Sequence, residues 1–247
     1  MEKITSLNNE YIKYLASLNS KKERLKNKEF IVEGYHLVEE AHLLNRLKVV
    51  LSSNEESLKE FNNIRCILVN EAIIKKISTT VNPQDIVGIV SIQDNNIDLS
   101  DKKFIVLDNI QDPGNLGTII RTSIALGVKN ILLSNDSVDV YNEKVIRSSQ
   151  GTFFKANIYI DKLANIYQLL KENNIKIYIT EVKDGLPLNN FKGLDSFALV
   201  MGNEANGVSN ITKEMKDYSI TIKMRNSVES LNVSQAFSII LYNLLNK

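Results

Sequence analysis

Apolar positions along this chain recur with two different periods, and the alternation between them predicts its architecture. Positions 37, 38, 41 and 44 are apolar at helical spacing, so 37–44 reads as a helix, as does 11–18. Short apolar runs at 30–33, 48–51, 65–69 and 86–92 read as strands between such helices. The stretch 93–103, QDNNIDLSDKK, is polar and aperiodic and reads as a linker. Beyond it the alternation restarts with 104–107, a strand of the fully buried kind, followed by strands at 130–133, 152–160, 175–180, 197–201 and 219–222. Interleaved helices then predict an α/β fold with a largely parallel sheet. No internal repeat or low-complexity tract interrupts the pattern.

Composition narrows the class. The chain has 247 residues, 43% hydrophobic and 24% charged, which suits one large soluble domain or two ordinary ones. No apolar run is long enough to span a membrane, and the N-terminal MEKITSLNNEY lacks the apolar core of a secretory signal, so a cytoplasmic location is expected. A single cysteine, Cys66, excludes an internal disulfide and a cysteine-based zinc site; its setting, RCILV, is that of a strand residue. A net charge of +1 does not mark the whole chain as a nucleic-acid binder. Lys21 to Lys28, KKERLKNK, nevertheless sets five basic residues against one acidic, which is either a solvated face or a phosphate contact.

Several chemistries are absent. The sequence holds no Walker loop and no G-x-G-x-x-G dinucleotide loop. His36 and His42 are six apart, share no helix face and read as packing or surface residues, and no metal site is suggested. What remains is polar density at strand-to-helix junctions. In 108–128, DNIQDPGNLGTIIRTSIALGV, a strand ends at Asp108, Pro113-Gly114 turns, and a helix runs from about Asn115 to Leu126 before Gly127 stops it. Leu116, Ile119, Ile120 and Ile124 make its core stripe, while Arg121 projects from the other side, into the crevice where open α/β sheets bind ligands or into a surface ion pair. In 199–209, LVMGNEANGVS, Gly202 and Gly207 flank Glu204, a loop carboxylate or a positioned acceptor; the two glycines would let a ligand approach the backbone. In 222–245, a polar loop holding Arg225, Asn226, Ser227, Glu229, Ser230 and Asn232 precedes a helix capped by Ser230 or Asn232.

Together these segments resemble the signature motifs of the SpoU, or TrmH, family of RNA ribose 2′-O-methyltransferases. The first motif, D-x-x-x-D-P-x-N-x-G-x-I-x-R-[ST]-x-x-x-x-G, is met from Asp108 to Gly127, and G-x-E-x-x-G is met by Gly202, Glu204 and Gly207. The third, I-P-M-x-x-x-x-x-S-L-N-V-[SA]-x-A, is met from Ile222 to Ala236 except that Lys223 replaces the usual proline. The stretch KVIRSSQGTFF, 144–154, resembles the family at Arg147, Ser148 and Gly151. The resemblance implies a C-terminal SPOUT fold over 104–247 with a trefoil knot, a homodimer, and S-adenosyl-L-methionine held near Met201, Gly202, Ile222 and Leu231. It also implies catalytic roles for Arg121, Asn115, Glu204, Ser230 and Asn232.

Residues 1–95 resemble the small α/β/α RNA-binding domain that some members carry, with Glu33 and Gly34 as its most recognisable positions and 96–103 as the linker. This assigns Lys21, Lys22, Arg24, Lys26 and, from the C-terminal half, Arg147 to RNA contact, and points to 23S (large-subunit) ribosomal RNA or the assembling subunit. Two other readings remain: a tRNA ribose methyltransferase, and a non-catalytic RNA-binding or assembly factor, which would be expected to lose Arg121 or the Ser230/Asn232 pair. The resemblance gives removal of the hydroxyl proton to Arg121. A guanidinium is a poor base, so a phosphate clamp that orients the ribose is an equal alternative.

Overall fold

The computed structural model of the chain describes residues 2–94, 97–225 and 229–246. Asn226 and Ser227 of the polar loop, and the expected boundary at residue 95, lie outside the described residues. The chain forms two compact units, residues 2–94 with Tyr141–Phe154, and residues 97–140 with 155–246.

The first unit runs β1 Glu2–Lys3, α1 Glu10–Ser17, α2 Lys21–Asn27, β2 Glu29–Glu33, α3 Tyr35–Leu43, β3 Leu47–Ser52, α4 Glu55–Leu58, β4 Arg65–Leu68, α5 Glu71–Ile77 and β5 Ile86–Ser91. Its sheet has the order β1-β4-β3-β5-β2, with β5 antiparallel to both neighbours. Helices begin where an Asn or Ser side chain accepts a free backbone N–H: Asn9, Ser20, Asn54 and Asn70 cap α1, α2, α4 and α5. Ile12 and Leu15 of α1 and Ile73, Ile74 and Ile77 of α5 then bury one sheet face with Leu51, Ile67 and Val87. Cys66 lies in β4 with its thiol directed at the carbonyls of Phe61 and Ile64, and burial pushes its pKa up, which suits a structural thiol. His42 packs edge-on against Phe61.

The segment 141–154 belongs to this unit and contains α7, Glu143–Ser148. It docks by aromatic packing: Phe30, fully buried, lies 5.3 Å from Tyr141, 5.9 Å from Phe153 and 6.4 Å from Phe154, centroid to centroid. This corrects the expected strand over 152–160. Residues Thr152–Lys155 form a 3-10 turn, and the strand begins only at Asn157. Phe153 and Phe154 are consecutive yet both buried in the aromatic cluster, which the alternating faces of a strand could not provide.

The second unit contains β6 Lys103–Asp108, α6 Pro113–Ala125, β7 Asn130–Ser134, β8 Asn157–Asp161, α8 Leu163–Glu172, β9 Ile177–Thr180, β10 Leu186–Pro187, β11 Phe197–Gly202, α9 Asn210–Met215, β12 Tyr218–Thr221 and α10 Val233–Leu245. Its sheet has the order β10-β12-β9-β11-β6-β7-β8, with every pair parallel. Strands β6, β7 and β11 are buried along nearly their whole length, as strands covered on both faces must be. The 93–103 segment is tied down at its end: Ile97 and Leu99 pack on the core of this unit, and Asn130 holds the Asp98 backbone at 3.0 and 2.8 Å.

From β6 the chain adds β7 and β8 on one side, then returns to lay β9 and β11 on the other. The topological switch point therefore lies between β6 and β11, where Asp108 and Gly202 are paired at the strand ends. Loops leaving a switch point diverge and leave a crevice, so this is where a ligand site is expected.

Phe30→Ala removes the centre of the aromatic cluster and is expected to destabilise the first unit by about 3–5 kcal/mol, read as a lower denaturation midpoint.

Candidate active site

Two loops leave the switch point and are bound to each other. Asp112 caps α6, its Oδ1 accepting the Asn115 N–H at 2.8 Å, so the helix begins at Pro113, two residues before Asn115. Glu204 reaches across from the loop after β11: its Oε1 accepts from the Asp112 N–H at 3.1 Å and from Asn115 Nδ2 at 3.0 Å, and its Oε2 accepts from the Gln111 N–H at 3.2 Å. Burial works against the Glu204 charge, but the hydrogen bonds from Asn115 and from backbone N–H groups outweigh it and hold the carboxyl below the ordinary glutamate value. Glu204 is therefore a positioned acceptor of donors.

The third loop joins the same chain of bonds. Asn232 caps α10, its Oδ1 accepting the Ser234 N–H at 2.9 Å, while its Nδ2 donates to Asn115 Oδ1 at 3.0 Å. The path Glu204–Asn115–Asn232 thus uses both ends of the buried Asn115 amide and links the loops after β6, β11 and β12. Beneath it, Asp108, 1% exposed, accepts from the Ser209 N–H and from Thr212 Oγ1, both at 2.7 Å. Thr212 also bonds Tyr167, whose hydroxyl pKa is pushed up chiefly by burial. This anchors the far end of the Glu204 loop to the sheet.

Within that loop, Asn203 and Gly207 exchange backbone hydrogen bonds at 2.9 Å, and the Asn203 side chain accepts from the N–H groups of Ala205 and Asn206 at 3.0 Å. The two glycines serve different needs. A Cβ on Gly202 would lie 2.3 Å from the Gly207 carbonyl carbon and 2.4 Å from Val208 N, so its smallness is demanded by the loop's own backbone rather than by a ligand. Gly207, at φ +67°, has nothing within 4 Å of a Cβ and is needed for its left-handed conformation.

The loops enclose a cavity of about 420 Å³. The expected cofactor residues Met201, Gly202, Ile222 and Leu231 all line it, as do Glu204, Ser230 and Asn232. Asn115 touches it only through Glu204 and Asn232, and Arg121 lies outside its lining, exposed on α6 without a hydrogen-bond or ion-pair partner among the described residues. Glu181, directly after β9, also lines the cavity, held by Lys216 at 3.3 Å. Burial works against its charge, yet the hydrogen bond and charge of Lys216, with the nearby charge of Lys213, keep it below the ordinary value. Sequence reasoning missed it, although a carboxylate at the carboxyl end of a parallel strand is itself a signal.

The expected RNA-contacting side chains fall into two groups. Lys21 and Lys22 are exposed at the start of α2, and Lys26 is exposed but 3.8 Å from Glu23. Arg24 is corrected: it is 7% exposed, with Nη1 donating to the carbonyls of Leu18 and Asn19 at 3.0 and 2.9 Å, so it closes the end of α1 instead of facing solvent. Arg147, on α7 in the first unit, pairs with Glu143.

An all-parallel α/β sheet with its cavity at the switch point defines a ligand-binding α/β protein. Comparison with known proteins narrows this: residues 102–242 match the SpoU rRNA Methylase family and 9–88 an MRM3-like substrate binding domain. The chain belongs to the SpoU rRNA methylase family and is an RNA methyltransferase. It is 33% identical over 99% of both chains to the 23S rRNA (guanosine(2553)-2'-O)-methyltransferase RlmP of Bacillus subtilis. It is 31% identical, over 87% of both, to the 23S rRNA (guanosine-2'-O-)-methyltransferase RlmB of Neisseria meningitidis. The crystal structure of an AdoMet-bound rRNA methyltransferase from Sinorhizobium meliloti superposes with a TM-score of 0.88 at 26% identity, covering 98% of this chain and 97% of that one.

Gly202→Ala is expected to destabilise the second unit by more than Gly207→Ala, for which adopting φ +67° costs about 1–2 kcal/mol; paired denaturation curves make the comparison. Because the folded Glu204 pKa is depressed, its charge stabilises the fold above the ordinary value of 4.5, and that contribution is lost as pH falls through the lower folded value. The stability gap between wild type and Glu204→Gln should therefore shrink as pH falls from about 5 towards 3.

Proposed function

We propose that this chain methylates a ribose 2′-hydroxyl of 23S ribosomal RNA, free or in an assembling large subunit, with the cavity of the second unit holding the cofactor. The observation that carries the reading is the joining of three loops, at one switch point, by Glu204, Asn115 and Asn232. The cavity suits the cofactor. Ile220, Ile222, Leu231 and Ile240 offer apolar walls for an adenine ring, and among the described residues the lining includes the carboxylates Glu181 and Glu204 and no Lys or Arg, which favours a cationic sulfonium.

When bound, S-adenosylmethionine supplies an activated methyl group on a good leaving group. The chain's part is placement. Main-chain groups at Met201–Gly202, Ile222 and Leu231 hold the cofactor, Ser230 and Asn232 orient the ribose, and Glu204 fixes the loops. Arg121, exposed and unpaired, is available to an RNA phosphate; a guanidinium that clamps the phosphate also stabilises charge developing on the ribose oxygen. Lys21, Lys22 and Lys26 of the first unit add phosphate contacts, and Arg147 a weaker one, since Glu143 shares its charge.

The trefoil knot, the homodimer and a cytoplasmic location belong to the same reading. For the dimer, Ile239 and Tyr242 of α10 offer 45% and 60% exposed apolar surface. No described helix is long and apolar enough to cross a membrane.

Incubation with methyl-labelled cofactor and, separately, ribosomal RNA and tRNA tests the substrate: label in 23S RNA supports the proposal and label in tRNA alone overturns it. Arg121→Ala should abolish transfer while leaving cofactor affinity within about twofold, a split that separates clamp from cofactor ligand; wild-type turnover in that variant would remove Arg121 from the mechanism.

A further inference from the structure

The first unit holds a second cavity, of about 210 Å³, that the methyl-transfer site does not use. Its apolar lining comes from Leu18, Ile31, Ile77 and Tyr141, and its polar lining includes Glu33 and Ser78. Glu33 is the acidic half of the Glu33-Gly34 pair that the sequence singles out. It ends β2, where its Oε1 accepts from Thr80 Oγ1 and its Oε2 has no partner among the described residues. Ser78 follows α5, and its hydroxyl is buried with no hydrogen-bond partner. A buried hydroxyl without a partner carries a desolvation penalty that a ligand would relieve. The other carboxylate at the rim, Glu143, is already paired with Arg147.

We propose that this cavity receives an unpaired guanine base of the RNA substrate. The proposal rests on the reading of this unit as the RNA-contacting one. An unstacked base has two apolar faces and one polar edge, which matches a pocket with apolar walls and a few polar groups. Guanine presents N1–H and N2–H side by side, two donors that a carboxylate accepts together, and O6 beside them, to which the Ser78 hydroxyl would donate after turning into the cavity. Adenine offers neither the N1–H nor the O6, so it would leave Glu33 and Ser78 unsatisfied. A hydrated metal ion is a poorer fit against apolar walls, and among the described residues no group of three or more His, Cys, Asp or Glu is arranged to hold one. The sugar–phosphate of the same nucleotide has a track to follow: Asn19 lines the cavity, and Lys21 and Lys22, two and three residues on, are exposed without ion-pair partners among the described residues.

Saturation-transfer NMR on the full chain with GMP, IMP and AMP tests this. GMP is expected to bind saturably, IMP more weakly because it lacks the N2 amino group, and AMP about tenfold more weakly than GMP. Glu33→Gln should erase the preference for GMP. Ser78→Ala, which keeps the carboxylate and removes only the hydroxyl, should weaken GMP binding and leave AMP unchanged. Equal binding of GMP and AMP, GMP binding unchanged in both variants, or no saturable binding of any of the three up to about 10 mM would overturn the pocket. A wild-type chain that methylates ribosomal RNA but fails this test loses only the pocket, because the NMR readout does not depend on turnover.

Discussion

The site depends on a single amide. Asn115 donates to Glu204 and accepts from Asn232, and a carboxamide does both in one plane on a stem short enough for the start of a helix. A carboxylate in its place would meet Glu204 as a like charge; an aliphatic residue would leave Glu204 and Asn232 with unmet partners in a half-buried setting. The sheet sets up the geometry by pairing Asp108 with Gly202, so that the loops after β6 and β11 start side by side. Asp108 then fixes the loop's far end through Ser209 and Thr212. Backbone, cap and carboxylate therefore define the rim before any ligand arrives, which is what lets binding energy go to orienting the reacting groups.

The division of labour between the glycines follows from the same closeness. Gly202 lets two stretches of main chain pass at a distance that excludes a Cβ, and Gly207 turns the chain back through a left-handed residue. Only the second is a conformational demand that another residue could meet with strain. The loop is thereby held in one shape, and it lines the cavity through Gly202, Asn203, Glu204, Ala205 and Gly207.

Much of this was legible in the sequence, and the limits are physical. The α/β alternation pointed to the parallel sheet, because buried strands and amphipathic helices have distinct periods, and the resemblance to the three SpoU motifs put Asn115, Glu204 and Asn232 in one site although they are far apart in the chain. The basic run and the family resemblance together put Arg24 at an RNA contact, since neither reveals that a guanidinium can be spent on carbonyls at a helix end. The run 152–160 read as one strand because apolar content is similar in a strand and in an aromatic cluster; only the docking of Phe153 and Phe154 beside Phe30 separates them. Glu181 was invisible because its meaning comes from the neighbouring strands, not from its own neighbours in sequence.

The central claim is that the three loops act as one unit through Asn115. A double-mutant cycle on kcat/KM with Asn115→Ala, Asn232→Ala and the pair tests it most directly. Two residues sharing one hydrogen bond in one network should show a coupling energy of about 1–3 kcal/mol, so that the pair loses far less than the sum of the single losses. Strictly additive losses would contradict the account.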